Sequence, residues 1–157
     1  MGVKIQVESY EQARPGVELL LEEHWREVAL YQDEIKLAPD FERYESLYAA
    51  GKLIIVTARL AEVLIGYSIF ILHNHIHYKN CLVASQDVLF VTGTQRKTGA
   101  GIRLIRGSED VLRKLGVNRI THHCKQINNL QEILTALGYL VEEVIVGKLI
   151  QVEQHGI

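Results

Sequence analysis

The sequence predicts a mixed α/β fold, with one sheet and helices packed against it. Several segments alternate apolar and polar residues or run continuously apolar, as strands do. Other segments repeat apolar residues at the spacing of an amphipathic helix. The two kinds of segment follow one another without a linker, a repeat or a low-complexity stretch, so we expect a single domain over residues 1–157.

The first half of the chain begins with a strand and two helices. VKIQVES alternates like a strand, and the helix after it has two candidate starts: Ser9 with Gln12 at capping-box spacing, or the later Pro15-Gly16 pair. A second, short helix is predicted between Asp40 and Gly51. Strands are then predicted in KLIIVTARL, in EVLIGYSIFIL after a short polar turn, and in KNCLVASQDVLFV.

A basic loop with several glycines, VTGTQRKTGAG, begins the second half of the chain. The apolar stripe that follows predicts a helix ending at Gly116, and NRITHHC predicts a strand. NNLQEILTALG predicts a last helix that ends at Gly138. YLVEEVIV and KLIQV, on either side of Gly147, are typical of a closing hairpin, so the predicted order is β-α-α-β-β-β-loop-α-β-α-β-β.

Composition and charge narrow the function classes. The formal net charge is −2 at pH 7, so neither nucleic acid nor an anionic membrane is an expected partner. No apolar run reaches the roughly 18 residues of a membrane span, and MGVKIQVESYEQ has no apolar signal-peptide region. Cys81 and Cys124 lack a paired spacing, which fits a reducing compartment, and we expect a cytoplasmic protein.

The glycine-containing loop has the composition of a phosphate-binding loop, because glycines let backbone amides approach a ligand and a helix N-terminus attracts anions. A nucleotide P-loop is excluded: Gly93 and Gly99 have the wrong separation, and Ala100-Gly101 replaces Lys-Ser/Thr. A dinucleotide fingerprint is excluded because GAGIRL lacks the third glycine of G-x-G-x-x-G and lies far from the first strand–helix turn.

The loop instead fits the pattern R-x-x-G-x-G, from Arg96 to Gly101. With the order of elements and the LGY of residues 137–139, this pattern resembles the GNAT N-acetyltransferase superfamily over nearly the whole chain, with a further likeness to a phage- or prophage-associated branch. The resemblance implies a mixed, mostly antiparallel sheet of about six to seven strands flanked by four helices, with splayed central strands. It also implies acetyl-CoA as co-substrate and an amine as the acetyl acceptor.

In that family the pantetheine arm of coenzyme A lies between the splayed strands. The resemblance implies that main-chain groups of Phe90, Val91 and Thr92 bind the pantetheine amides, with the Val91 N–H in an oxyanion-type contact. The resemblance also implies that backbone amides of the loop hold the pyrophosphate of coenzyme A. These amides belong to Arg96, Lys97, Thr98, Gly99, Ala100, Gly101 and Ile102. The alternative is that the loop is an ordinary strand–helix turn.

Acetyl transfer to an amine requires a group that takes a proton, since a primary alkylamine has a pKa of roughly 10. In the family this base often lies on the fourth strand, a few residues before the loop, where Asp87 stands here. Strand periodicity places Ser85, Asp87 and Leu89 on one face. The alternative to a catalytic base is an Asp bonded structurally to a turn or an arginine.

The family's usual general acid is missing from this sequence. Leu134 stands where many members have the tyrosine that protonates the departing thiolate. The acid is therefore absent or is supplied by Tyr139, His123 or Tyr48. His122 or His123, near the end of the fifth predicted strand, could face the cleft or be a packed or surface residue.

Histidines alternate at the tip of the hairpin between the third and fourth predicted strands, at His73, His75 and His77. In an extended chain all three point to one side and could bind zinc. No HExxH or CxxC motif accompanies them, so we expect no metal; contact with the acceptor and a plain polar hairpin tip are the other interpretations. Trp25 either packs the first helix or lines the acceptor pocket that the first two helices form in the family.

Two function classes follow from these observations. The first is an acetyl-CoA-dependent N-acetyltransferase, in which a small-molecule or peptide amine attacks the thioester directly. The second is a non-catalytic acyl-CoA-binding or interaction protein on the same fold, which Leu134 favours. Homodimers are common in the family, although no segment here identifies an interface.

Overall fold

Residues 2–150 are described by a computed structural model of the chain. The chain divides after His123 into two compact units. The single domain expected over residues 1–157 stays a prediction. None of the helices within residues 2–150 is both long enough and apolar enough to cross a membrane.

The larger unit contains a five-stranded sheet and most of the helices. Its order agrees with the predicted order, with a short 3₁₀-helix in place of the predicted loop. The elements are β1 Lys4–Val7, α1 Tyr10–Val28, α2 Phe41–Ala49, β2 Leu53–Leu60, β3 Val63–His75, β4 Tyr78–Val91, the 3₁₀-helix Gly93–Thr98, α3 Ala100–Lys114 and β5 Arg119–Thr121.

Helix α1 begins at the earlier of its two predicted starts. The Ser9 hydroxyl accepts a hydrogen bond from the Gln12 amide at 3.2 Å, and the Gln12 side chain accepts one from the Ser9 amide at 3.0 Å. This capping box satisfies two free amides, and Pro15 lies inside the helix. Gly16 lets α1 approach β3, because a Cβ there would lie 2.8 Å from Leu64 Cδ2.

The strands are arranged in the order β1-β2-β3-β4-β5. Neighbours are antiparallel up to β4, and β5 runs parallel to β4, so the sheet is mixed and mostly antiparallel as predicted. The predicted count of six to seven strands is wrong for residues 2–150, where the sheet has five. Residues 83–85 of β4 pair with residues 119–121 of β5. Beyond them, Gln86 and residues 88–91 pair with β3 alone among the described strands, so β4 loses one neighbour halfway along.

Helices cover both faces of the sheet. On the first face, α1 and α2 pack against a cluster that contains Val17, Tyr67 and Phe90. On the second face, α3 packs through Leu104 against a cluster that contains Val91. The last two residues of β4 therefore point to opposite faces, as strand alternation requires.

Strand β4 contains a β-bulge at Asp87. Gln86 lies opposite Phe70 and Val88 lies opposite Ile69, so no residue of β3 lies opposite Asp87. A bulge inserts one residue into a strand and shifts the alternation of the residues that follow it.

The bulge corrects one prediction about the candidate site. Ser85 lies opposite Ile71, and Asp87 bonds to Tyr44; both partners pack on the α1/α2 face. Leu89 packs instead on the α3 face. The predicted common face is therefore correct for Ser85 and Asp87 but wrong for Leu89, because the extra residue reverses the alternation between them.

The smaller unit contains one helix within the described residues, α4 Leu130–Ala136, followed by Gly138 in a left-handed conformation with φ 98°. The predicted strand YLVEEVIV is wrong, since residues 139–150 form neither helix nor strand. A strand requires a hydrogen-bonded neighbour, and the residues Leu140 and Val146 are 83% and 90% exposed. Residues 148–152 were predicted as the second strand of the hairpin, and 151 and 152 lie outside the described residues.

Candidate functional site

The predicted phosphate loop consists of the 3₁₀-helix and the first turn of α3. Gly99 joins them with φ 79°, a left-handed conformation that favours glycine. The Arg103 amide donates to the Gly99 carbonyl at 3.1 Å, which is the first bond of the helix. The amides of residues 100–102 precede that bond, and no side chain caps the helix. Such amides and the positive end of the helix dipole favour an anion.

Gly101 leaves open space beside these amides. A Cβ at this position would have Val91 Cγ2, at 4.0 Å, as its one neighbour within 4 Å among the described residues. Its φ is not positive, so neither packing nor backbone conformation requires glycine here. The residue therefore leaves room for the close approach of a ligand.

Positive charge surrounds the loop, although one predicted cation is engaged elsewhere. Lys97 is exposed, and so is Arg103, whose guanidinium donates to the Thr98 carbonyl at 3.3 Å. Arg96 instead donates from Nε to the Val91 carbonyl at 2.9 Å and forms an ion pair with Glu27 of α1. Arg103 was missed by the sequence analysis; the signal was a cation four residues after Gly99.

The last residue of β4 presents its main chain to the side where β5 no longer pairs. Thr92 N–H donates to Ile65 O of β3 at 2.9 Å, whereas Val91 O accepts from Arg96. Since the N–H and C=O of one strand residue point to the same side, the Val91 N–H also faces away from β3. This geometry agrees with the position expected for an oxyanion donor, and the role itself stays a prediction.

Asp87, the predicted base, is exposed and accepts a hydrogen bond from the Tyr44 hydroxyl of α2. Burial, and next the bond to Asp87, raise the pKa of Tyr44, so the phenol stays protonated and donates to the carboxylate. No other side chain in the described part of the chain bonds to Asp87. The carboxylate is thus held by one donor and remains open to solvent.

Ser85 joins two other candidate residues. Its hydroxyl lies 2.8 Å from His73 Nε2 and accepts a bond from the Thr121 hydroxyl at 3.2 Å. His73 is exposed on the neighbouring strand. The structure therefore brings a predicted catalytic residue and a predicted substrate-side residue together, on the face that also carries Asp87.

The two histidines after β5 have different surroundings. His122 is half-buried, with Nδ1 2.7 Å from Gln86 Oε1 and its ring edge-on to Phe70. Burial, and then the neighbouring His123, lower the pKa of His122 to about 4. His123 is exposed, and within residues 2–150 no hydrogen bond joins it to Ser85 or to the bulge. Strand β5 ends at Thr121, before both histidines.

His75 and His77 form a local cluster at the hairpin tip and are not extended side by side with His73. The His77 amide donates to His75 Nδ1 at 3.1 Å, and the two rings have centroids 5.6 Å apart. No group of three or more His, Cys, Asp or Glu side chains that could hold a metal occurs in the part of the chain that the structure describes.

The remaining predicted residues have few polar contacts. Trp25 is half-buried on α1, and its carbonyl accepts from the Ala29 amide at 2.9 Å. Leu134 is 4% exposed on α4, and its carbonyl accepts from the Tyr139 amide at 3.0 Å. Tyr48 is exposed at the end of α2.

The sequence analysis did not single out His24, which lies on the apolar face of α1. His24 Nδ1 lies 3.0 Å from the Tyr67 hydroxyl, and its ring stacks on Phe90 with centroids 4.8 Å apart. Burial lowers the pKa of His24 and raises the pKa of Tyr67, so both groups stay neutral near pH 7. A polar residue at an apolar helix position was the available signal, because a buried polar group requires a partner.

Solved structures with similar folds span nearly the whole chain. They include an aminoglycoside acetyltransferase from an uncultured soil metagenomic sample, in complex with sisomicin, at 14% identity over 96% of this chain and 97% of that chain, with a TM-score of 0.75. A ribosomal-protein-alanine N-acetyltransferase from Brucella melitensis matches at 17% identity over 96% and 99% of the two chains, with a TM-score of 0.69. The aminoglycoside acetyltransferase AAC(6')-Iy, in complex with a CoA bisubstrate analogue, matches at 19% identity over 97% and 100%, with a TM-score of 0.67.

No family model and no curated protein sequence matches the chain. At these identities the likeness concerns the fold, and the predicted GNAT fold is confirmed. The phage- or prophage-associated branch stays a prediction.

Proposed function

We propose that this chain is an N-acetyltransferase that transfers an acetyl group directly from acetyl-CoA to an amine. The observation that carries the proposal is the uncapped start of α3, with Gly99 and Gly101, beside the half of β4 that has lost its second neighbour. The similar structures in complex with an aminoglycoside or a CoA bisubstrate analogue support this class of donor and acceptor.

The loop residues fit the diphosphate of the donor. Amides of residues 100–102 and the exposed Lys97 and Arg103 would bind it, and Gly101 would allow its approach. When bound, acetyl-CoA supplies the acetyl thioester. Of residues 90–92, Phe90 and Thr92 turn their N–H groups toward β3, so the Val91 N–H would orient the thioester and act as the oxyanion donor.

Asp87 would accept the proton of the acceptor amine, and Tyr44 would orient its carboxylate. Ser85 and His73 lie on the same face, where they and Trp25, His75 and His77 are candidates for acceptor contact. His123 stays a candidate donor to the thiolate, since Leu134 has no acidic proton. A homodimer and a cytoplasmic location remain predictions.

The same leucine supports a second candidate, a non-catalytic acyl-CoA-binding protein. An apolar, buried residue at the family's tyrosine position cannot protonate a thiolate. Such a protein would use the loop residues in the same way and would bind acetyl-CoA without turnover.

Titration calorimetry with acetyl-CoA tests the shared part of both candidates. We expect saturable binding by the wild type, loss of binding in Gly101→Glu, and unchanged binding in Gly2→Glu. The two glycines make a matched pair, because a Cβ has room at both. A folded wild type that binds neither acetyl-CoA, nor CoA, nor a longer acyl-CoA would refute the proposed donor site.

CoA release with a panel of amines then separates the two candidates. If Asp87 is the base, Asp87→Asn lowers the turnover number by about 10²-fold or more and leaves acetyl-CoA binding unchanged. Binding of acetyl-CoA without acetylation of any amine would favour the non-catalytic protein.

A further inference from the structure

One face of helix α1 contacts the end of β4 and the start of the loop. Glu23, His24 and Glu27 lie within one turn of this helix. Glu23 bonds to the junction between β4 and the 3₁₀-helix, His24 stacks on Phe90, and Glu27 pairs with Arg96. A helix outside the proposed donor site thus holds the segment that leads into it.

The position of Glu23 is electrostatically unfavourable for a loop that binds an anion. Its negative charge lies next to the chain that would receive a diphosphate, and like charges repel. The carboxylate nevertheless accepts hydrogen bonds from two donors there, the Thr92 hydroxyl and the Gly93 amide. Oε1 accepts from Thr92 Oγ1 at 3.1 Å and from the Gly93 amide at 3.1 Å, and Oε2 lies 3.3 Å from Thr92 Oγ1.

These bonds connect the junction to α1. The Thr92 amide already donates to Ile65 O at 2.9 Å, so main chain and side chain of this residue are held by different elements. The Gly93 amide is the first amide of the 3₁₀-helix, and the Thr92 side chain does not cap this helix. Glu23 supplies the acceptor for the Gly93 amide instead.

Arg96 forms a second connection three residues later. Its Nε donates to the Val91 carbonyl, its guanidinium pairs with Glu27, and its Cζ lies 5.6 Å from the centre of the Phe90 ring. Both connections end on α1, at positions 23 and 27 of the same helix face. The loop therefore has a fixed start before it reaches Gly99.

We infer that Glu23 is a positioning residue, which fixes the junction at Thr92 and Gly93 so that the loop binds the diphosphate of the donor. Its hydrogen bonds hold the junction in place, whereas its negative charge repels the diphosphate. The statement about affinity rests on the proposed function, whereas the statement about the junction does not. A glutamine keeps a carbonyl oxygen that can accept from Thr92 and Gly93 but removes the charge, and an alanine removes both.

Calorimetry with acetyl-CoA on the full chain separates these contributions. We expect Glu23→Ala to raise the dissociation constant about tenfold, and Glu23→Gln to leave it unchanged or lower it. Glu22→Ala is the matched control, because this neighbouring side chain is 69% exposed and pairs with Arg26 of its own helix. Equal weakening by Glu23→Ala and Glu23→Gln, or an unchanged dissociation constant in folded Glu23→Ala, would overturn the inference.

Amide hydrogen exchange at Gly93 provides a readout that needs no ligand. We expect faster exchange in Glu23→Ala and the wild-type rate in both Glu23→Gln and Glu22→Ala. If the wild type binds no acyl-CoA, the proposed function fails while the exchange rates still decide whether Glu23 holds the junction. Equal Gly93 exchange in the wild type and Glu23→Ala would show that it does not.

Discussion

The buried carboxylate of Glu8 is expected to make the fold sensitive to acid. Glu8 is 5% exposed at the end of β1. Its Oε1 accepts from Arg59 Nε at 2.6 Å, from Thr57 Oγ1 at 2.6 Å and from Gln6 Nε2 at 2.7 Å, and its Oε2 accepts from the Arg59 guanidinium at 2.8 Å. The bond from Arg59, followed by those from Thr57 and Gln6, lowers the pKa of Glu8 from 4.5 to about 2, although burial opposes it.

The lowered pKa of Glu8 determines the sign and the size of the change in unfolding free energy with pH. Because the folded pKa lies below the unfolded one, the unfolded chain binds the proton first as pH falls. The stabilisation is complete above pH 4.5 and is lost between pH 4.5 and about pH 2. A pKa lowered by this amount corresponds to about 3 kcal/mol of unfolding free energy, of which about 2 kcal/mol is lost by pH 3.

Urea unfolding at pH 7 and pH 3, followed by circular dichroism, measures this loss. Between the two values the wild type is expected to lose about 2 kcal/mol more than Glu8→Gln, which cannot titrate at this position. Glu8→Gln starts from a lower stability at pH 7, because it leaves the Arg59 charge unpaired, so the change with pH is the quantity to compare. Glu11→Gln, an exposed residue of α1, is expected to follow the wild type. Parallel losses in the wild type and Glu8→Gln would refute the lowered pKa.

Two further predictions concern packing and buried polar groups. Gly66→Ala is expected to lower the unfolding free energy by about 1–3 kcal/mol, since its Cβ would lie 2.8 Å from a backbone oxygen of β4. In the same urea titration the control Gly2→Ala is expected to leave the unfolding free energy unchanged, because its Cβ meets no atom within 4 Å. Ser68→Ala is expected to leave the thermal midpoint unchanged or raise it, because this buried hydroxyl has no hydrogen-bond partner among the described residues. Thr57→Val, equally buried, is expected to lower it by removing a donor to Glu8; equal midpoints for both variants would contradict this reasoning.

The features that the sequence predicted are the local ones. The start of α1 follows from Ser9 and Gln12, three residues apart, and the end of α2 from a nearby glycine. The loop glycines act through their own backbone, so their position at the start of α3 could be predicted from the sequence motif. Residues 139–146 also have the apolar pattern of a strand. A strand further requires a neighbouring strand to bond with, and the pattern of one segment cannot show whether that neighbour exists.

The features that the sequence did not predict depend on residues far apart in the chain. Tyr44 and Asp87 are separated by 43 positions, and Glu23 and Thr92 by 69. No periodicity within α1 distinguishes Glu23, which holds the junction, from Glu22, which is exposed. A charged residue on a helix predicts a solvated face unless the partner strand is known.

The bulge in β4 resolves the main anomaly of the sequence, an aspartate within the apolar run of a central strand. A carboxylate buried in such a strand without a partner would be costly. The extra residue gives Asp87 no opposite neighbour on β3 and leaves its side chain exposed, on the face where Tyr44 can bond to it. The same insertion reverses the alternation, so that Phe90 faces α1 and Val91 faces α3 at the entrance to the loop. One inserted residue thus determines the position of the Asp87 carboxylate and the orientation of the main chain at Val91, both of which belong to the proposed acetyl-transfer site. A deletion that removed the bulge would therefore displace both groups together.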